Sequence, residues 1–316
     1  MSASGFRHVY GPVPSRRLGR SLGIDLVPFK TCPYDCVYCQ LGRTTNKTIE
    51  RKEYVAVDDV LAELETKLTV IPAPDYISLA GSGEPTLNAG IGDLIGKIRS
   101  LADIPVAVLT NGSLLWMSKV QDALMAADLV LPSLDAGDEY LFRYVNRPHG
   151  DIAFEQMVDG IAAFTKRFPG EVWLEVLLLG GVTGIPAEVK KIASIIRRIK
   201  PARVQLNTVS RPAAEEFAFP LSTVQMLALR NFFPGEVDII SESERDGAHV
   251  SAFAEAKDVD ILALLSRRPC TVRGVSSGLG LNPGEAAKRL EALARQGVVR
   301  TVRKDNAVFY ETKRTK

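Results

Sequence analysis

The stretch TCPYDCVYCQ, residues 31–40, places Cys32, Cys36 and Cys39 within eight residues, and the chain holds one further cysteine, Cys270. Crowded thiols in a chain without a secretory signal point to metal ligation rather than disulfides, because the cytosol keeps thiols reduced. Pro33, Tyr34, Asp35 and Gln40 give the run a polar, loop-like setting that suits ligands better than buried structural cysteines. A redox pair at Cys36 and Cys39 would have no use for Cys32. Closed zinc and iron-sulfur sites usually take four protein ligands, so a set of three leaves one metal position open.

The rest of the chain has the size of an enzyme. It runs to 316 residues with 46% hydrophobic content, enough for a large core. No apolar run reaches the roughly 18 residues that cross a bilayer, and MSASGFRHVYGP has no apolar signal core, so a soluble, cytoplasmic protein is expected. Net charge is +2, but residues 267–316 hold twelve Lys/Arg against four Asp/Glu, a local +8 that leaves the preceding body at −6. Such asymmetry suits a module with a polyanionic partner, or simply a solvated basic surface.

Strand-like and helix-like segments alternate from residue 21 to about 235. Strands are expected at 21–28, 75–81, 104–112, 128–136, 171–180 and 203–209, rich enough in Val, Ile and Leu for a parallel sheet covered on both faces. Between the last two, AEVKKIASIIRRI repeats Val189, Ile192, Ile195, Ile196 and Ile199 at helical spacing. The fold class expected is α/β, a partial (β/α)6 TIM-type barrel. From about residue 257 the pattern becomes helix, short helix, a helix begun by Asn282 and Pro283 and stopped by Gly297, then a hairpin around Asp305-Asn306. That order predicts a small C-terminal winged-helix domain. The division expected is 1–245 for the core and 256–316 for the winged helix, with the boundary in ERDGAHVSAFAEA.

Unusual residues fall at strand ends, where a barrel of this kind places its chemistry. The cysteine loop follows the first strand, GSGEPT (81–86) the second, and TNGS (110–113) ends the third. Ser133 and Asp135 end the fourth, and Gln205 and Asn207 lie on the sixth, before Ser210, Arg211 and Pro212. In GSGEPT the glycines let backbone approach a ligand, and Glu84 suits an ammonium group; a plain strand-to-helix turn is the blander reading. Arg16 and Arg17, upstream of the first strand, are either a solvated pair or placed to meet an anion. His8, His149 and His249 show no ligand spacing.

The C-x3-C-x2-C run with Tyr38 before its last cysteine resembles the signature loop of the radical S-adenosylmethionine (radical SAM) enzymes. The resemblance implies a [4Fe-4S] cluster on Cys32, Cys36 and Cys39 whose open iron takes SAM. It implies that Gly83 and Glu84 act as the Gly-Gly-Glu-like segment for the SAM amino group, with Ser82 standing where that segment has a glycine. Thr110, Asn111, Ser133 and Asp135 suit the ribose or methionine end, Tyr38 the adenine, and Asn207 the adenine or the substrate. It further implies a reduced electron carrier of flavodoxin or ferredoxin type, reductive cleavage of SAM, and a 5′-deoxyadenosyl radical that abstracts hydrogen from substrate. GPVPSRRLGRSLGIDLVPFK (11–30), continued into the cysteine run, is similar to the wyosine tRNA-modification synthases, which carry further cysteines that this chain lacks.

Substrate candidates are RNA, a small metabolite or a protein residue. The basic tail, with Lys288, Arg289 and Arg295 on a helix and Arg300, Arg303 and Lys304 on the hairpin, inclines the reading toward nucleic acid, docking and dimerisation being the other uses of such a module. The rival function is a DNA-binding regulator that senses iron or redox state through an iron-sulfur cluster; it leaves the barrel and GSGEPT without a purpose.

Overall fold

A computed structural model describes residues 6–15, 17–240, 257–304 and 307–313. The six expected strands all form. In chain order the strands as far as residue 240 are β1 (Val9–Ser15), β2 (Gly19–Asp25), the two-residue β3 (Thr31–Cys32) and β4 (Asn46–Lys47), β5 (Tyr76–Ala80), β6 (Val106–Thr110), β7 (Leu129–Pro132), β8 (Glu171–Leu178), β9 (Arg203–Thr208) and β10 (Val237–Ile239), and the α-helices between them are α1 (Val57–Val70), α2 (Ile91–Leu101), α3 (Ser118–Leu124), α4 (Glu139–Val145), α5 (Phe154–Arg167), α6 (Pro186–Ile199) and α7 (Thr223–Arg230). β1 pairs antiparallel with β2; from β2 the main sheet runs parallel through β5, β6, β7, β8, β9 and β10. Each new strand adds beside the last, so the order never reverses as it would in a doubly wound sheet.

Two edge strands were missing from the sequence expectation. β1 reads VYGPVPS, and its Gly and Pro residues argue against a strand; it forms because an edge tolerates missing N–H donors. β10 has only three residues. The first expected strand also starts earlier, at Gly19, and ends at Asp25 instead of residue 28.

The sheet is curled. Laid flat, β2 and β8 would be four strand spacings apart, about 19 Å. Arg17, in the turn entering β2, nevertheless reaches Glu175 on β8 with its guanidinium 2.7 Å from the carboxylate. Leu18 from the same turn packs against Ala107, Leu129 and Leu131 of the concave face. Gln205 and Asn207 share that face, because they pair in register with Glu175 and Leu177. The convex face is apolar: Val172, Leu174, Val176 and Leu178 meet helices such as α6 (Pro186–Ile199), whose buried Val189, Ile192, Ile196 and Ile199 each contribute about 1.5–3 kcal/mol by leaving water.

The C-terminal segment contains helices α8 (Asp258–Arg267), α9 (Val272–Leu279) and α10 (Pro283–Arg295), then β11 (Val299–Lys304) and β12 (Ala307–Thr312) in a small antiparallel sheet. Cys270 adds an antiparallel bridge to Tyr310. Asn282 caps α10 by accepting the Gly284 N–H at 2.8 Å, Pro283 is its first residue, and Gly297 follows it with φ of +74°. Ile261, Leu264, Leu265, Val275, Leu290 and Val299 form a second core, and it includes Val13 of β1. The segment therefore covers the sheet edge that β1 would leave exposed. The expected boundary at 245–256 and the Asp305-Asn306 turn lie outside the described residues. Among the described residues no helix is long and apolar enough to cross a membrane.

Candidate functional site

The cysteine loop is tied at its base and on its outer side. β3 and β4 pair across the base, so Cys32 is anchored while residues 33–45 project over the C-terminal ends of the parallel strands. Asp35 accepts Nε of Arg43 at 2.8 Å and the Thr44 N–H at 2.7 Å, which closes the loop on itself. Tyr34 is buried with its ring edge-on to Phe142 at 5.5 Å, and the Val37 N–H bonds the Val145 carbonyl at 2.9 Å.

Each sulfur meets a different nitrogen donor. Nζ of Lys30 lies 3.1 Å from Cys39 Sγ, Nδ2 of Asn111 lies 3.3 Å from Cys32 Sγ, and Nδ2 of Asn146 lies 3.6 Å from Cys36 Sγ. Burial pushes the Cys32 thiol up to about 12, and Cys36 well above the ordinary thiol range, with like-charge repulsion from the other cysteines adding to both. Thiols so placed bind metal at the cost of protons released. Among the described residues no three His, Cys, Asp or Glu side chains converge as a single-ion site. A four-iron cluster does not need such convergence, since each thiolate takes its own iron. A three-thiol set with a donor at every sulfur fits that group, because hydrogen bonds to cluster sulfurs are the ordinary means of tuning it.

GSGEPT is joined directly to the cysteine loop. The Lys30 N–H donates to the Ser82 carbonyl at 2.7 Å, and the Glu84 N–H to the Thr31 carbonyl at 3.1 Å. Gly83 is required by this contact: a Cβ there would stand 2.1 Å from the Thr31 oxygen. Glu84 is 2% exposed. Its Oε1 accepts the Thr86 N–H at 3.1 Å, the Thr86 hydroxyl at 2.6 Å and the Thr110 hydroxyl at 2.6 Å, while Oε2 accepts the Asn111 N–H at 2.8 Å. Burial raises the Glu84 carboxyl above its usual range, and these four donors oppose the rise. Oε2, with one donor against three on Oε1, keeps acceptor capacity for an incoming ammonium.

Several expected ligand contacts are occupied by the chain itself. Thr110 takes the Gly112 N–H at 3.1 Å and gives its proton to Glu84, so it orients that carboxylate and has no hydroxyl hydrogen left for a ribose. Asn111 bridges Glu84 and Cys32, joining the two motifs. The Tyr38 hydroxyl donates to Asp135 Oδ2. Asp135 also accepts Nδ2 of Asn146 at 2.9 Å and the Leu177 N–H at 3.0 Å. Ser133 is set by its backbone, which continues β7 past Pro132 in a bridge to Glu175. Asn207 donates to Glu175 at 3.1 Å, placing it in the floor of the curled sheet with Arg17. The anion that meets Arg17 is thus the chain's own Glu175; Arg16 lies outside the described residues.

Two participants escaped the sequence reading. Lys30 is 3% exposed and stands two residues before Cys32; a cation beside a thiol run is a legible signal in retrospect. Asn146 ends helix α4 (Glu139–Val145), over a hundred residues from Cys36, and no local pattern marks it.

Burial pushes the Asp135 carboxyl from 3.8 up to about 6, although Tyr38, Asn146 and Leu177 donate to it. The folded state therefore holds this proton more tightly than the unfolded chain. Its contribution is fully present below about pH 4 and is lost as pH rises through about 6, on the order of 3 kcal/mol. Asp135→Asn removes that titration. Unfolding free energies measured across this window should shift by about that amount in favour of the variant as pH rises, and a constant difference would refute the assignment.

A parallel α/β sheet that gathers three thiols and a buried glutamate at one set of strand ends defines an enzyme class. The chain belongs to the radical SAM superfamily, whose family model matches residues 26–195. It is 39% identical over 298 residues to a Brachyspira hyodysenteriae protein named GTPase Obg, covering 93% of this chain and 43% of that one. The chain thus spans less than half of that relative's length. It is 36% identical over 308 residues to a Helicobacter pylori J99 protein named UPF0026 protein, with 96% of each chain covered. Among solved structures, a radical SAM methyltransferase from Sphaerobacter thermophilus shares the fold with a TM-score of 0.52 at 16% identity, covering 69% of this chain and 66% of that one.

Proposed function

We propose that Cys32, Cys36 and Cys39 hold a [4Fe-4S] cluster beside a SAM site built on Glu84. The observation that carries this reading is the junction of the two motifs: Glu84 N–H on the Thr31 carbonyl, and Asn111 shared between Glu84 and Cys32. Held by the three thiolates, the cluster would supply one-electron reduction of the SAM sulfonium, the chemistry that breaks its C5′–S bond and opens the way to hydrogen abstraction from substrate. Glu84 accepts the amino group of SAM, with Thr86, Thr110 and Asn111 holding the carboxylate still. Gly83 lets the backbone approach. Tyr38, locked by Asp135, contributes its main chain or the face of its ring to the adenine, and Ser133 lines the same rim. Lys30, Asn111 and Asn146 donate to the thiolates. The electron comes from a reduced carrier of flavodoxin or ferredoxin type, in the cytoplasm.

The substrate reading is RNA, within a group akin to the wyosine synthases, and it rests on the C-terminal segment. The order of helix, bridged residue, two helices and hairpin supports a winged helix for residues 256–316, apart from a core of 1–245. Of its expected phosphate contacts, Arg289 pairs with Glu285 at 2.6 Å, Arg300 with Glu311 at 2.6 Å, and Lys304 donates to the Arg211 carbonyl at 2.8 Å. Lys288, Arg295 and Arg303 are exposed and suit a phosphate backbone.

The test is anaerobic reconstitution with iron and sulfide, then reduction with SAM, with and without bulk tRNA. Formation of 5′-deoxyadenosine, accelerated by RNA, is the expected result. A protein that carries full iron and yields no 5′-deoxyadenosine is a sensor, not this enzyme; cleavage indifferent to RNA removes the substrate reading alone.

A further inference from the structure

The C-terminal segment touches the strand-end face at two places. Lys304 of β11 donates to the Arg211 carbonyl, and the Arg211 side chain donates to Gln40, next to Cys39, at 3.2 Å. The second contact goes deeper. Arg267, the last residue of α8, lies with its guanidinium over the Tyr10 ring at 4.4 Å and donates to the Arg7 carbonyl at 2.7 Å and to the Ala263 carbonyl at 3.0 Å. Held this way, it faces Asp25 at the end of β2, with Nε 3.6 Å from the carboxylate. That carboxylate is buried, and it accepts both the N–H of Ser82 at 3.0 Å and its hydroxyl at 2.5 Å. Gly81, at φ +125°, fits against the same group; a Cβ there would stand 2.6 Å from the Asp25 carboxyl carbon.

We propose that Arg267 is a positioning residue for the GSGEPT loop, acting through Asp25 on Ser82 and so on Glu84, which makes the C-terminal segment part of the SAM-binding machinery. Its consequence for SAM rests on the reading of Glu84 given under the proposed function. The physical basis is the cost of a buried carboxylate. Asp25 can stay ionised, and accept twice from Ser82, while a cation faces it across a low-dielectric gap. Burial raises the Asp25 carboxyl above its usual range, and Ser82 and Arg267 oppose that rise. Without Arg267 the buried carboxylate loses the cation that faces it at 3.6 Å, its hold on the Ser82 N–H and hydroxyl weakens, and the loop two residues before Glu84 loses its anchor.

The test uses the full chain. Backbone hydrogen exchange over residues 78–88, measured without cofactor, should quicken about tenfold in Arg267→Ala, with protection in α6 unchanged as the control for folding. Arg267→Lys should recover part of the protection. Asp25→Asn should reproduce the effect, and the double variant should be no worse than either single one, because both act on one link. In the reconstituted protein SAM affinity should fall by about tenfold, the range of outer partners in a cofactor site. Unchanged exchange in Arg267→Ala, or additive effects in the double variant, overturns the link. Wild-type protein that takes up no SAM overturns the reading of the site, and the exchange measurement then still decides whether Arg267 orders the loop.

Discussion

Cys36→Ala is expected to reduce bound iron from about four atoms per chain to background and to lower SAM cleavage by at least about 100-fold. The thiol sits mid-loop with Asn146 beside it and the other two cysteines close enough to raise its pKa, so two ligands would remain where three are needed. Little of the fold depends on it. The loop is held by Asp35, by the β3–β4 pairing and by Val37 on Val145, none of which uses the sulfur. Unfolding of the iron-free variant should accordingly stay within about 1 kcal/mol of the iron-free parent. Cys270→Ala is the matched control, since Cys270 lies in the separate C-terminal core. Iron retained in full by Cys36→Ala, or lost equally by Cys270→Ala, would show the ligand assignment to be wrong.

Glu84→Ala separates the cluster from the cofactor. Iron should remain, because no ligand is removed, while SAM affinity should fall by about 100-fold or more with the loss of a charge-assisted acceptor in a buried site. The variant also pays in stability. Two N–H groups and two hydroxyls now converge on a carboxylate that is 2% exposed, and stranding buried donors costs about 1–3 kcal/mol for each group left unsatisfied. Glu84→Gln is a sharper variant. With its carbonyl oxygen at the three-donor position, its amide N–H2 must face the N–H of Asn111, so it keeps the volume and loses the acceptor that an ammonium would meet. Titration of SAM into the reconstituted variants checks both, and affinity equal to wild type would remove Glu84 from the site.

Short-range patterns carried much of this. The spacing of Cys32, Cys36 and Cys39 and the Val- and Ile-rich strands are local signals, and the strands formed within a few residues of expectation. β1 was hidden because its Gly and Pro residues obey an edge rule that applies only once a neighbour is known. Individual roles were less legible. Thr110, expected at the ribose or methionine end of the cofactor, gives its proton to Glu84, and Asn207, expected at adenine or substrate, donates to Glu175. A hydroxyl or amide at a strand end is reactive toward whatever stands nearest, and its nearest partner is set by sheet curvature.

What the chain's residue order determined alone is the ligand chemistry, three thiols and a Gly-flanked glutamate, and the alternation of strand and helix, because both depend on spacings of a few residues. Tertiary structure alone decided which groups stand together. Asn111 and Asn146 meet two different sulfurs, Arg17 meets Glu175 across the curl, and Arg267 meets Asp25 from 242 positions away. Contacts of that length follow from how strands stack and how the tail seats on β1, and no local pattern encodes them.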